Sequence, residues 1–233
     1  YFPHTKRVFL ADGNALAIAT DKLLEILQQL DKAFPLLERV TLYGNPHDLL
    51  EKSITELQQL GQSKLGMIYL GVESGSAKVL EAVKKGVTPD EMAAGAARVK
   101  AAAIPLSVTV LNGLAGAEGS VEHAEATARL LNRMDPEYIG LLSLITVPGT
   151  TMHRQFKEGK LTPLSPWQLL EEIRMIVAGL ELTNSVFRAN HASNYLPLKA
   201  TLPRDKKALL AALDQIIAKK APGSLKSEFM RGL

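Results

Sequence analysis

Short apolar runs alternate with longer segments of helical periodicity along this sequence. Five runs with little polar alternation predict buried strands, at residues 7–11, 39–44, 67–70, 106–111 and 138–145. Between the runs, apolar side chains recur every three or four residues, as they do in helices that pack through one face. Strands that alternate with helices over such long connections predict a parallel sheet covered by helices, and both a barrel and an open sheet satisfy this pattern.

We therefore expect an α/β fold, an incomplete (β/α) TIM-like barrel with five or six parallel strands, followed by a C-terminal loop and helix. The sixth strand is expected over residues 186–191, the loop over 192–202 and a basic amphipathic helix over about 204–219. No shift in composition marks an internal boundary, so residues 1–233 are expected to form a single domain. Its barrel core and its extension are expected to cover residues 1–183 and 184–233.

Capping residues mark where several helices are expected to begin. Asn45-Pro46 is a typical N-cap and first helical position, and it predicts one helix that ends at Gly61. Thr88–Glu91 and Ser165–Gln168 have the spacing of capping boxes. The second of these boxes predicts a helix that continues to about Leu182.

Polar residues follow the predicted strands at the points where the strands end. The stretch Gly71–Ser76 follows the third strand and contains a carboxylate, hydroxyl groups and two glycines before a helix resumes. Loops at the carboxyl ends of parallel strands meet on one face and commonly carry the chemistry of α/β enzymes. The alternative is that Ser74 or Ser76 only caps the helix and that Glu73 is a surface charge. Similar positions are occupied by Asp12, Asn14, Tyr43, Asn45, Asn112, Glu118, Thr146 and Thr150, with Asn190, His191 and Asn194 further on.

Composition excludes several classes of chemistry. The 233 residues are 46% hydrophobic and 22% charged, with a net charge of +3 and no cysteine. Disulfides, thiolate metal sites and a cysteine nucleophile are therefore absent from these residues. Basic residues are concentrated after Lys199, but aromatic residues are not interleaved with them, so a nucleic-acid partner has little support. No run of 18 apolar residues or signal peptide is present, which predicts a cytoplasmic protein without a membrane partner. A chain that starts at Tyr1, almost at once in a strand, is expected to be a piece of a longer protein.

Other familiar motifs are missing. The five histidines do not have metal-ligand spacing, and neither a P-loop nor a Gly-x-Gly-x-x-Gly motif occurs. Glu73 and Glu118 suggest a two-carboxylate hydrolase, but the sequence does not define their separation. The residues alone therefore indicate a parallel α/β enzyme with a polar, glycine-lined mouth.

At these same loops, the sequence resembles the radical S-adenosylmethionine (SAM) superfamily. The resemblance is to the branch with the Elongator catalytic subunit, the tRNA methylthiotransferases and the oxygen-independent coproporphyrinogen oxidases. Four stretches follow the order of that family's motifs, at Asp12–Asn14, Gly71–Ser76, Asn112–Glu118 and Leu144–Thr150. The chain would be a fragment that lacks the family's cluster-binding cysteine motif, and its first five strands would be the family's second to sixth.

The resemblance implies an Fe–S oxidoreductase that cleaves SAM reductively at a 4Fe–4S cluster, with an unknown substrate and a flavodoxin or ferredoxin as electron donor. The cluster ligands would lie upstream of residue 1, so this chain alone should be inactive. The implied cofactor-binding residues are Asp12, Gly13 and Asn14 at the methionine amino group, Glu73 and Ser74 at the ribose or carboxylate, and Asn112, Gly113, Glu118 and Pro148 near the adenine.

Two other hypotheses remain open. The chain is alternatively a degenerate, non-catalytic barrel that binds a nucleotide-like ligand or a protein partner. An unrelated barrel hydrolase or aldolase is disfavoured because no lysine lies at a predicted strand end and no nucleophile–base pair is legible.

Overall fold

The computed structural model of the protein describes residues 2, 4–11, 13–221 and 223–232. Seven strands in this part of the chain form one sheet in sequential order. The strands are β1 (Arg7–Leu10), β2 (Arg39–Gly44), β3 (Leu65–Glu73), β4 (Leu106–Asn112), β5 (Tyr138–Ser143), β6 (Ser185–Ala189) and β7 (Leu198–Leu202). The pairs β1–β2, β2–β3 and β5–β6 are parallel, whereas β7 is antiparallel to β6.

Helices separate most of these strands along the chain. Those within the described residues are α1 (Thr20–Ala33), α2 (Pro46–Glu51), α3 (Ile54–Gln62), α4 (Ala77–Ala82), α5 (Pro89–Ala101), α6 (Gly116–Met134), α7 (Thr151–Lys157), α8 (Pro166–Gly179) and α9 (Lys206–Lys219). Two short 3-10 turns add Ala15–Ala17 and Glu228–Met230. The expected fold class is confirmed, because strands and helices alternate in a mostly parallel sheet that does not close on itself.

The segment after β6 corrects one expectation. Residues 192–202 were predicted as a loop, but Leu198–Leu202 forms β7. Its buried residues alternate with more exposed ones, and the connection from β6 is too short for the crossover that a parallel strand needs. The turn residues Asn194 and Pro197 obscured this strand, and the expectation of a wholly parallel sheet was wrong for β7.

The helix predicted from Asn45 to Gly61 is also different in the structure. It is divided into α2 and α3 because Lys52 has an extended backbone and Ser53 starts a new capping box with Glu56. Ser53 accepts the backbone N–H of Glu56, and the Glu56 carboxylate accepts the N–H of Ser53. The apolar positions on both sides of the break suit a single helix, so periodicity alone concealed the break.

The chain divides into two compact units, Tyr1–Gly71 with Val87–Val108, and Val72–Gly86 with Thr109–Leu233. In the first unit, Val40, Leu42 and Ile68 are completely buried between strands and helices. On the opposite face of these strands, Phe9, Tyr43 and Tyr69 pack edge to face, and Phe9 and Tyr43 remain exposed. The expectation of a single domain remains a prediction.

The second unit is built around the packing of α6 against α8 and of α8 against α9. Small residues allow close approach: a Cβ added at Gly179 of α8 would lie 2.8 Å from the Ala128 Cβ of α6. Within the described residues, no helix is both long and apolar enough to cross a membrane.

Gly75, in the loop after β3, lies directly against α6. A Cβ at this position would be 2.2 Å from the backbone oxygen of Ala126, and backbone cannot move aside as a side chain does. We expect Gly75→Ala to destabilise the protein by about 3 kcal/mol or more, measured by urea unfolding followed through Trp167 fluorescence.

Gly86→Ala is the matched control, because a Cβ there meets no atom within 4 Å and only the positive φ of +79° opposes it. Its cost should be about 1 to 2 kcal/mol. If the two variants are equally stable, the loop does not pack on α6 as described.

Candidate functional site

Glu73 is the last residue of β3 and adopts a left-handed conformation with φ of +59°. Its carboxylate forms an ion pair with Lys85, with 3.2 Å between Oε1 and Nζ. The two side chains are about a quarter exposed, so the pair is accessible to solvent. Ser76 is the N-cap of α4 and accepts the N–H of Val79. The helix-cap alternative therefore applies to Ser76, whereas Glu73 and Ser74 have other partners.

Ser74, by contrast, is completely buried. Its Oγ lies 2.8 Å from Nδ1 of His123 on α6 and accepts the backbone N–H of Ser76 at 3.0 Å. The next residue, Gly75, donates its N–H to Thr127, also on α6. The loop after β3 is thus attached to α6 by buried polar contacts.

Glu172 on α8 is the centre of a second set of buried contacts. Its Oε1 accepts the backbone N–H of Gly113 at 2.6 Å, and its Oε2 accepts the hydroxyl of Ser120 at 2.5 Å. The Nε2 of His123 faces Oε1 at 3.7 Å, too far for a hydrogen bond, and has no hydrogen-bond partner. Glu172 therefore connects α6, α8 and the loop after β4.

Burial shifts the pKa values of this pair in opposite directions. Loss of hydration lowers the pKa of His123 to about 4 and raises the pKa of Glu172 to about 7, because burial disfavours both charged forms. Hydrogen bonds from Ser120 and Gly113 lower the pKa of Glu172, but burial outweighs them. The negative charge of Glu122 raises the pKa of His123, but by less than burial lowers it. At neutral pH, His123 is neutral and Glu172 is close to its midpoint.

Asn112 and Gly113 follow at the end of β4. The Asn112 side chain is completely buried and donates to the carbonyl oxygen of Leu169 at 3.0 Å, while its Oδ1 is buried without a hydrogen-bond partner. Gly113 has φ of +83°, and a Cβ there would lie 2.8 Å from the Leu169 side chain. Glycine is therefore required at this position for both conformation and space.

A cavity of about 240 Å³ lies beside Gly113. Leu144 and Thr146, from the segment after β5, also line it. The loops after β4 and β5, which the resemblance assigns to the adenine, thus border one cavity.

The C-terminal segment closes another side of that cavity. The guanidinium of Arg231 donates to the carbonyl oxygens of Leu144 and Ser193, at 2.8 and 2.6 Å, and stacks on the Tyr195 ring. Its side chain is 5% exposed and is paired with Glu228. Arg231 was expected in a basic tail, but it is an internal contact of the second unit.

Glu118 and Pro148 lie elsewhere in this unit. Glu118 accepts the hydroxyl of Thr162 at 2.5 Å, and this hydrogen bond lowers the Glu118 pKa. It borders a second cavity of about 370 Å³, with apolar walls that include Leu114 and Met152. Pro148 is exposed in the turn before α7. Glu73, Asn112 and Glu118 therefore have three different partners within the protein.

The first predicted motif belongs to the other unit. Asp12 lies outside the described residues, and Gly13 has φ of +82°. Asn14 donates to the Asp48 carboxylate, and its Oδ1 is buried without a hydrogen-bond partner. The assignment of Asp12, Gly13 and Asn14 to a cofactor amino group remains a prediction.

No protein-family model matches the sequence, and no curated protein matches it significantly. Solved structures do match. The archaeal Elp3 of Methanocaldococcus infernus, with residues 1–46 deleted, has a TM-score of 0.61 at 14% identity, over 94% of this chain and 55% of that one. Coproporphyrinogen III oxidase HemN of Escherichia coli, a radical SAM enzyme, has a TM-score of 0.60 at 15% identity, over 75% of this chain and 40% of that one.

Methylornithine synthase PylB matches with a TM-score of 0.52 at 13% identity, over 77% of this chain and 49% of that one. These matched proteins are all radical SAM enzymes. The fold is that of the radical SAM enzymes. The resemblance predicted from the motifs is confirmed at the level of the fold, and the chain spans about half the length of the structures that it matches.

The residues present do not fit the cluster that the radical SAM fold implies. The chain has no cysteine, and no group of three or more histidine and acidic side chains is placed to hold a metal within the part that the structure describes. Iron–sulfur clusters are held mainly by thiolates, so these residues cannot supply the ligand set. The two places where the resemblance puts SAM hold an accessible carboxylate, Glu73, and a cavity lined by Gly113 and Thr146.

Sequence reasoning missed the two residues at the centre of the second unit. His123 was considered only as a possible metal ligand, and Glu172 was not singled out. The available signal was position: Glu172 shares a helical face with the buried Leu169, Ile173 and Ile176. A carboxylate in an apolar stripe indicates a buried, hydrogen-bonded acid.

We expect this chain to take up no 4Fe–4S cluster on anaerobic reconstitution with iron and sulfide, because it supplies no thiolate. Visible absorbance and an iron assay, compared with an iron–sulfur protein treated in parallel, check this. Stoichiometric and stable cluster uptake would contradict it.

Proposed function

We propose that this chain is the SAM-binding core of a radical SAM enzyme, an Fe–S oxidoreductase that starts radical chemistry on its substrate. The observation that carries the proposal is the match of the fold to Elp3 and HemN over most of this chain. The motif-like loops add support, since they follow β3, β4 and β5 in the order that the resemblance requires.

Two regions of the second unit are assigned to the cofactor. Glu73 is an accessible strand-end carboxylate, suited to accept from the ribose hydroxyls of SAM. The backbone around Gly113 and Thr146, which line the cavity, is assigned to the adenine. Asn112 supports this loop through Leu169, and the assignment of Pro148 rests on the resemblance alone. Ser74 and Glu118 have partners within the protein and are assigned to support these loops.

The remaining parts of the reaction lie outside these residues. Cluster ligands must come from a segment or chain beyond them, because no cysteine is present. A bound 4Fe–4S cluster would supply the electron that cleaves SAM. We further propose a cytoplasmic enzyme that receives this electron from a flavodoxin or ferredoxin. This function is preferred to a non-catalytic barrel because the matched structures are enzymes.

Glu73→Ala tests the cofactor assignment. Removing a carboxylate that accepts a hydrogen bond from SAM should weaken binding by about 1.5 to 3 kcal/mol, as measured by isothermal titration of SAM into the chain. Thermal stability should change little, because the partly exposed pair with Lys85 contributes at most about 1 kcal/mol.

Glu81→Ala is the control, since Glu81 is an exposed carboxylate on the adjacent α4. Its affinity for SAM should equal that of the wild type. Unchanged affinity of Glu73→Ala together with a lowered melting temperature would make Glu73 an anchor of its loop and would remove it from the cofactor site.

A further inference from the structure

A polar stripe occurs on the buried side of α6. Ser120, His123 and Thr127 follow one another at helical spacing, and all three are buried. The buried face of a helix usually carries apolar side chains, so each of these polar groups needs a hydrogen-bond partner. The partners are the loop after β3 on one side and Glu172 on the other.

The donors and acceptors from Ser74 to Gly113 form a line of buried contacts, in which the 3.7 Å approach of His123 to Glu172 is the one step longer than a hydrogen bond. The Ser74 hydroxyl already accepts from the N–H of Ser76, so its single hydrogen is available to donate to Nδ1 of His123. A neutral imidazole that accepts at Nδ1 carries its proton on Nε2. This N–H faces Oε1 of Glu172, the same oxygen that accepts the N–H of Gly113. Donors from both ends therefore converge on the Glu172 carboxylate.

We propose that His123 and Glu172 are positioning residues that couple the loop after β3 to the loop after β4, so that the two loops respond together. Only the description of these loops as a cofactor site rests on the proposed function; the coupling itself does not. It acts through buried contacts alone and is measurable on the protein without cofactor.

The groups that face the pair come from every element packed against it. The loop after β3 contributes the Ser74 hydroxyl, and the loop after β4 contributes the Gly113 amide. Helix α6 contributes Ser120 and the charge of Glu122, and α8 carries Glu172 itself. The opposite responses of an imidazole and a carboxylate to burial give this pair a distinctive pH signature.

The sign of that signature follows from linkage. With a folded pKa of about 4 against 6.5 in solution, neutral His123 contributes stability above pH 6.5 that is lost as the pH falls towards 4. With a folded pKa of about 7 against 4.5, protonated Glu172 contributes stability below pH 4.5 that is lost as the pH rises towards 7. In the wild type, the two slopes oppose each other across this range.

Single variants separate the slopes. Relative to the wild type, Glu172→Gln should become more stable as the pH rises from about 4.5 to 7, and His123→Gln should become less stable as the pH rises from about 4 to 6.5. Each change should reach about tenfold or more in the unfolding equilibrium constant, measured by urea unfolding. Glu171→Gln, next to Glu172 but less buried, should follow the wild type. Parallel slopes in the two variants would overturn the buried pair.

Coupling between the loops is tested by a change in the loop after β3 and a measurement in the loop after β4. Ser74→Ala removes the hydroxyl that orients His123 and leaves Glu172 and Gly113 unaltered. We expect the Gly113 amide to exchange with solvent about fivefold faster, as measured by NMR hydrogen exchange on the protein without cofactor.

Ser224→Ala is the control, because Ser224 is exposed and its hydroxyl donates to the nearby Ala221 carbonyl oxygen. It should leave the Gly113 amide unchanged. If Ser74→Ala accelerates exchange only within its own loop, the two loops are independent and the proposal is wrong. If the wild-type chain does not bind SAM, the proposed function is contradicted, whereas the result on coupling is unaffected.

Discussion

The carboxylate of Glu172, withdrawn completely from water, is the constraint on which the second unit depends. A buried acid costs free energy unless its oxygens are hydrogen-bonded, and here the available donors are the Gly113 amide and the Ser120 hydroxyl. Gly113 reaches the carboxylate because it adopts a positive φ, and Ser120 reaches it because α6 packs closely on α8. The loop after β4 is therefore shaped by a contact with a helix more than fifty residues further along the chain.

That contact separates two roles for residues at strand ends. Glu73 ends β3 in a left-handed conformation and stays accessible, whereas Ser74, the first residue of the following loop, is buried against α6. Asn112 resembles Ser74, because its amide is used by the Leu169 carbonyl. Ser74 and Asn112 therefore support the loops, whereas Glu73 and the backbone at Gly113 are the groups that we propose for the ligand.

The fold and the donor groups give different information about chemistry. A match to radical SAM enzymes at 13 to 15% identity concerns the arrangement of strands and helices. Function depends on the side chains of a site, and the thiolates that hold an iron–sulfur cluster are not among these residues. The proposed cofactor assignment rests on loop positions, and the proposed cluster would need ligands from other residues.

The sequence alone determined the alternation of strands and helices, because apolar runs and helical periodicity report burial directly. It also indicated the loops at strand ends and the family resemblance, because glycines and polar residues in turns are recognised from short stretches of sequence. It could not show β7 or the break at Lys52, where short connections and a local cap overruled the pattern. Only the tertiary structure decided which strand-end side chains are buried and that His123 and Glu172 meet. Ser74, His123 and Glu172 are distant in sequence, and the pairing of buried polar groups depends on how the helices pack.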